Sequence, residues 1–598
     1  MGVFNRLKPS RILRSAQVVF AAVVLVLAGC ASTGRRDQAP APTQATAAPQ
    51  GFAISTQGVA ATRAAERILS EGGNLFDAAI ASSFVISVER PHSTGLGGGG
   101  FWLSFDSKTK TLTALDFRER APQAIRLPEN VLKQNPEAIP QLLQNTPLGG
   151  GIPGLVAGMG EVHRRFGKLP WRQILQPAIE LAEQGFAVYP ALEEAIEDRR
   201  EVLSRDRDAA RIFLQANGHS LSAGDLLIQR DLARTLRQIA TEGPTDFYHG
   251  RLALTLLRGL KKMKSPIGAT DLAKYRVIER KPVVTQTFGK TVAVMPPPSS
   301  GGIHLPQMLK LLEGESADLK RWGFQSEKSL HRIAQAMQVA FADRARYLGD
   351  PDFTRIPQAE LLSDGYLEAR KKAFFGKKMR PASSVTAFAR EEFEKFAHES
   401  SDTTHLSLMD AEGNAIATTQ SINGWMGSGQ MIEGTGILLN NTMDDFSVAD
   451  GIKNLYGAVG SEPNRLKPGK TPLSSMTPTI VFSNTAPEQP ELVIGAPGGT
   501  RIITCILQVL INRWIYDRTL LESVLASRIH QQWMPDEILL EDPAPTRQFS
   551  HETDRALQER GHRVRRGKIH CRVQTVERTP HGFEAVTDPR GFGSAVVR

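Results

Sequence analysis

The period of the apolar residues changes along this chain, and that change restricts the fold more than any single residue does. Residues 62–70 and 75–88 carry apolar side chains at helical spacing, with Asn74 placed to cap the second segment. A strand pair follows at 101–105 and 111–118, turning at 108–110. Helical spacing returns over 150–390, clearest at 160–166, 171–184, 226–242, 253–262 and 330–346. From Thr403 onward strand-like runs dominate, at 406–409, 416–420, 436–439, 479–482 and 492–494. Residues 501–515 and 519–527 are helical again. Helices, strand pair, helices, strands, helices: this order predicts a layered α/β protein with its strands in a central core.

Several function classes drop out early. The run Gly95-Leu96-Gly97-Gly98-Gly99-Gly100 has no Lys-Ser/Thr after it and leads into a strand, so it predicts a close backbone crossing and not a phosphate loop. The formal net charge is +10, yet no basic stripe with interleaved aromatics accompanies it. Lys261-Lys262-Met263-Lys264 and Arg563-Val564-Arg565-Arg566 read as solvated faces, so no nucleic-acid partner is expected. The cysteines and histidines lack metal-ligand spacing, and neither metal nor cofactor is expected. Cys505 lies in the apolar run 502–510 and reads as a buried helical thiol; whether it pairs with Cys571 stays open.

The N-terminus carries its own signal. Arg6, Lys8, Arg11 and Arg14 precede an apolar stretch, 16–27, that falls short of the roughly 20 residues a spanning helix needs. It ends in Leu27-Ala28-Gly29-Cys30, which resembles a bacterial lipoprotein signal. Residues 1–29 are then a signal peptide and Cys30 is lipidated. Residues 31–51, rich in Ala, Pro, Thr and Gln, form a flexible tether. By the same resemblance, the lack of an aspartate at Ala31 and Ser32 favours an anchor in the outer membrane, on its periplasmic side.

Asp402-Thr403-Thr404-His405 opens the strand-rich part. A threonine hydroxyl is a weak nucleophile unless a base sits beside it, and one such base is its own α-amine. That amine is free only if the chain is cut between Asp402 and Thr403, and its reference pKa of about 7.7–8.0 suits a base at neutral pH. Five further motifs occur in order. They are Asp116-Phe117-Arg118-Glu119, Met295-Pro296-Pro297-Pro298-Ser299-Ser300-Gly301-Gly302, Asn440-Asn441-Thr442-Met443-Asp444-Asp445-Phe446, Pro472-Leu473-Ser474-Ser475-Met476 and Gly495-Ala496-Pro497-Gly498-Gly499. With Thr403 they resemble the γ-glutamyltranspeptidase (glutathione hydrolase) family, over about residues 56–590.

The resemblance implies the four-layer αββα sandwich of N-terminal-nucleophile hydrolases, one catalytic domain built from a large piece, 52–402, and a small piece, 403–598. It implies that Thr403 is the nucleophile, that Ser421 supports it where a second threonine is usual, and that Gly498 and Gly499 hold the oxyanion. Arg118, Ser474 and Ser475 match the site for the substrate α-carboxylate. Asn423 and Asp445 match the acceptors of its ammonium group, and Tyr456 matches a lid tyrosine in the long loop 446–472. Thr442 stands where Gln or Glu is usual near that ammonium, which puts substrate affinity in doubt. The expected activity is release of γ-glutamyl groups from donors such as glutathione to water or amino acids. The alternatives are a cephalosporin-type acylase of the same fold and a non-catalytic lipoprotein scaffold.

Overall fold

The computed structural model describes residues 44–47, 51–385, 403–449 and 451–598. The signal segment, Cys30, most of the tether and Asp402 lie outside the described residues, and within the expected tether Gln44–Ala47 is not a free linker but a strand paired antiparallel with residues 583–586. Residues 42–598 form one compact unit.

Two antiparallel seven-stranded sheets make the centre. In chain order their strands are β1 (Gln44–Ala47), β2 (Phe52–Thr56), β3 (Gly99–Asp106), β4 (Thr111–Asp116), β5 (Ile278–Arg280), β6 (Val283–Thr287), β7 (Lys290–Val294), β8 (Thr404–Asp410), β9 (Ala415–Ser421), β10 (Thr479–Ser483), β11 (Ala486–Gly495), β12 (Gln574–Thr579), β13 (Gly582–Thr587) and β14 (Ser594–Val597). The first sheet runs β14-β2-β8-β9-β3-β4-β5, the second β1-β13-β12-β11-β10-β7-β6. Each sheet therefore mixes strands from both sides of Thr403. In the first, β8 pairs with β2 on one edge and β9 on the other, so a cut before Thr403 leaves the two pieces stitched by a shared ladder.

Alternation along β8 shows why the strand is buried on both faces. Leu406 and Leu408 join the core under one helical layer, while Met409 joins the core between the sheets. The first helical layer holds α1 (Val59–Ser70), α2 (Leu75–Glu89), α3 (Leu155–Phe166), α4 (Trp171–Gln184) and α5 (Arg230–Glu242). Every residue of α2 is buried, and Asn74 closes a capping box with Asp77 at its start, as its sequence predicts. The second sheet is covered by α6 (Gly301–Glu313), α7 (Glu327–Tyr347) and α8 (Arg501–Trp514). Helix, sheet, sheet, helix is the expected αββα sandwich.

Some boundaries move. The helix expected at 226–242 begins at Arg230, because Leu226–Leu227 pairs as a short strand with Phe186–Ala187. The strand expected at 111–118 stops at Asp116, freeing Arg118 to turn toward the second sheet's end. The glycine run does cross backbone closely. A Cβ on Gly97 would lie 2.0 Å from the Leu438 carbonyl oxygen, and one on Gly98 2.1 Å from that of Ser421.

Candidate active site

Thr403 immediately precedes β8 and is buried in the wall of a cavity. Its Oγ1 lies 3.3 Å from Ser421 Oγ, at the end of the neighbouring β9. Ser421 Oγ also accepts from the Asn423 N–H at 2.9 Å, which fixes where that hydroxyl stands. The nearest imidazole, His405, is no candidate base. Its Nδ1 meets Thr419 Oγ1 at 2.7 Å and its Nε2 meets Ser407 Oγ at 3.1 Å. Burial pushes its pKa down to about 3, so it is a neutral spacer between the sheets.

Gly498 and Gly499 link the end of β11 to the N-terminus of α8, and Gly499 lines the same cavity as Thr403. Among the described residues neither of their N–H groups donates to a protein acceptor, although both glycines are buried. Two unspent donors at the positive end of a 14-residue helix are a fit place for a developing oxyanion.

The pocket's other wall is an ion site. Arg118 is held by its own backbone: its N–H donates to Asp116 Oδ1 at 3.0 Å and its carbonyl accepts from Tyr275 Oη at 2.9 Å. Its Nε donates to the Pro472 carbonyl at 3.0 Å, and its Nη2 pairs with Asp445. Asp445 Oδ1 also accepts from Asn454 Nδ2 at 3.1 Å. Burial, opposed by Arg118, raises the Asp445 pKa. The serine pair is braced by the proline-rich motif. Ser474 N–H donates to the Pro298 carbonyl at 2.8 Å, and Ser300 N–H to the Ser474 carbonyl at 2.7 Å.

Tyr456 closes the site. Its hydroxyl donates to the Asn423 carbonyl at 3.0 Å, and its ring lies against Gly499, where a Cβ would come within 2.2 Å of it. The loop carrying Tyr456 is latched by the Leu455 N–H, which donates to Asp444 Oδ2 at 2.7 Å.

One cavity is thus lined by Thr403, Ser421, Asn423, Gly499, Arg118, Asp445, Tyr456, Ser474 and Ser475. Thr442 is a correction. It is fully buried away from this wall, and its Oγ1 donates to Glu119 Oε1 at 3.0 Å. The 3-10 turn Thr442–Asp445 aims Asp445 at the cavity and the short threonine at Glu119 instead. Burial, opposed by Arg118 beside it, pushes the Glu119 pKa up to about 7. Cys505 and Cys571 are both buried free thiols.

Sequence reasoning missed Arg344 and Asn454, which also line the cavity. Arg344 had a signal: it falls three residues after Phe341 and seven after Met337, on the apolar stripe of α7. A cation there is out of place unless it serves a site.

A family model described as gamma-glutamyltranspeptidase matches residues 61–597. The glutathione hydrolase proenzyme of Escherichia coli (strain K12) is 39% identical over 547 residues, 91% of each chain. Among solved structures, the cephalosporin acylase from Bacillus halodurans aligns with a TM-score of 0.77 at 24% identity, covering 94% of this chain and 98% of its own. At that identity it speaks to the fold alone. The γ-glutamyltranspeptidase of Helicobacter pylori aligns with a TM-score of 0.52 at 36% identity, covering 55% of this chain and 93% of its own.

Proposed function

The chain belongs to the γ-glutamyltranspeptidase family, and on that premise we propose that it is a self-cleaving glutathione hydrolase and γ-glutamyltransferase. The observation that carries the reading is one cavity lined by Thr403, by Gly499 with its unspent N–H group and by an Arg118–Asp445 pair flanked by two serines. A γ-glutamyl group has a zwitterionic head. Placed between Arg118 and Asp445, it trades one ion pair for two and buries no net charge. An acylase for side chains that lack an amino group, such as glutaryl, has no use for an ammonium acceptor, so Asp445 favours the γ-glutamyl reading over that one.

The reaction then follows from the geometry. Thr403 Oγ attacks the γ-carbonyl carbon and its proton passes to the freed α-amine. The carbonyl oxygen becomes an oxyanion against the Gly498 and Gly499 N–H groups. The amine returns the proton to the leaving nitrogen, and a γ-glutamyl ester of Thr403 remains. Water or an amino group attacks that ester by the same steps in reverse. Hydrolysis of a chromogenic γ-glutamyl anilide, faster with glycylglycine as acceptor, is the expected result. A protein that splits into two bands yet leaves the anilide intact would rule the reading out.

Arg118→Lys should split normally but lose about 1.5–3 kcal/mol of binding, or roughly 10- to 150-fold in kcat/KM for the anilide, because lysine cannot make the planar two-point grip. Wild-type kinetics in this variant would remove Arg118 from the carboxylate site.

The cell address is a further part of the proposal. The signal-like segment ending in Cys30 and the polar tether after it support a lipid-anchored enzyme on the periplasmic side of a bacterial membrane. Cys30→Ala should shift the exported enzyme from the membrane fraction to the soluble one with unchanged specific activity. Persistent membrane association of the exported variant would point to another anchor.

A further inference from the structure

Arg344 is a guanidinium buried in the cavity wall, and among the described residues no carboxylate lies within 4.0 Å of its nitrogens. Its side chain donates to two hydroxyls, Ser300 Oγ at 3.0 Å and Ser475 Oγ at 3.2 Å. Burial lowers its pKa to about 10, opposed by the charge of Asp445 beyond ion-pair distance, and Arg344 stays charged at neutral pH. A buried cation bonded only to neutral groups carries a desolvation cost that a nearby anion offsets.

The hydroxyls show where that anion goes. A serine hydroxyl has one proton and two lone pairs. Ser475 Oγ uses a lone pair to accept from Arg344, and its proton has no acceptor among the described residues. Ser474 Oγ accepts from the Met476 N–H at 3.1 Å, and its proton is likewise unspent. Ser300 Oγ, while accepting from Arg344, donates to the Ser474 carbonyl at 2.8 Å. Arg344 therefore sets the Ser475 hydroxyl directly and the Ser474 backbone through Ser300. Two hydroxyls that each have one lone pair engaged and the proton free are ready donors, and a wall of donors beside two guanidinium groups takes an anion.

We propose that Arg344 is a positioning residue of the carboxylate site, fixing Ser475 as a hydrogen-bond donor to the α-carboxylate of the γ-glutamyl donor and adding a second positive charge there. Arg118 cannot supply that charge alone, since it is shared with Asp445 and stands 3.8 Å from Glu119. The inference rests on the γ-glutamyl reading above.

The test compares two substrates on the full, self-cleaved protein: γ-glutamyl p-nitroanilide, and 4-aminobutyryl p-nitroanilide, the same acyl group without the α-carboxylate. Arg344→Gln should raise KM for the first far more than it lowers kcat. The preference for the first over the second, as a ratio of kcat/KM values, should fall about 10- to 100-fold, the size of a lost charge-assisted contact. Arg344→Lys keeps the charge but cannot bridge both serines, and should fall between. Ser475→Ala added to Arg344→Gln should cost less than threefold more, since the two act as a unit. Two bands on a denaturing gel report folding of each variant, and Arg344→Lys with Ser475→Ala decide the matter where Arg344→Gln does not fold. An equal loss on both substrates would make Arg344 a structural residue and overturn the proposal. A wild-type protein inactive on the γ-glutamyl anilide would instead overturn the functional reading beneath it.

Discussion

Thr403→Ala should run as one uncut chain on a denaturing gel and hydrolyse no γ-glutamyl anilide. The hydroxyl is needed twice, first against the Asp402–Thr403 peptide bond and then against substrate. Neither of two polar neighbours among the described residues stands in for it. Ser421 is 3.3 Å away but faces Thr403 from the next strand, and His405 has both nitrogens engaged and stays neutral. Before the cut the α-nitrogen is an amide and cannot act as the base, so self-cleavage should be slow compared with turnover. Thr403→Ser keeps the hydroxyl but loses the methyl that holds the rotamer, and should split more slowly with part of the activity retained. Sequencing of the smaller wild-type fragment should begin Thr-Thr-His-Leu-Ser. A fully active, single, uncut chain would falsify the N-terminal-nucleophile mechanism.

The fold was legible where pattern and burial coincide. The fully buried, Ala- and Ser-rich α2 with its Asn74 cap and the β8–β9 pair are stated by local sequence alone. The layer order followed from the succession of periods. Less visible was β6–β7, whose short runs border a proline-rich turn, and α6, whose Gly301-Gly302 start reads as a loop. That start is helical because Gly301 and Gly302 pack without room for a Cβ against Thr477 and the Met295 carbonyl. No local pattern encodes such a contact.

The site was legible as a set of motifs but not as a set of bonds. The sequence could say that Arg118 and Asp445 serve opposite ends of one substrate. It could not say that they pair with each other across 327 residues of chain. Thr442 shows the reverse failure: its place in the motif suggested contact with substrate, while the turn geometry gives its hydroxyl to Glu119. Arg344 was hidden for a third reason. Its role depends on Ser300 and Ser475, which lie 44 and 131 residues away, so only the folded chain assembles it.

Gly499→Ala should cost on the order of 10²–10³ in kcat, the usual loss when an oxyanion donor is displaced. Its φ of +56° is one that a side chain tolerates at a cost of about 1–2 kcal/mol, too little to account for such a loss. The larger effect is steric. The new Cβ would sit 2.2 Å from the Tyr456 ring, and that ring cannot swing away without breaking its hydroxyl's bond to the Asn423 carbonyl. Either the lid opens or the Gly498–Gly499 turn rotates, and a rotated turn takes its N–H away from Thr403. The two outcomes separate in a double-mutant cycle with Tyr456→Ala, which removes the ring. If the lid gives way, Gly499→Ala should add little to the loss already caused by Tyr456→Ala. If the turn gives way, the missing ring should restore much of the activity lost in Gly499→Ala. Wild-type kcat in Gly499→Ala alone would mean that the Gly499 N–H does not bind the oxyanion, leaving Gly498 and the α8 N-terminus to carry that charge.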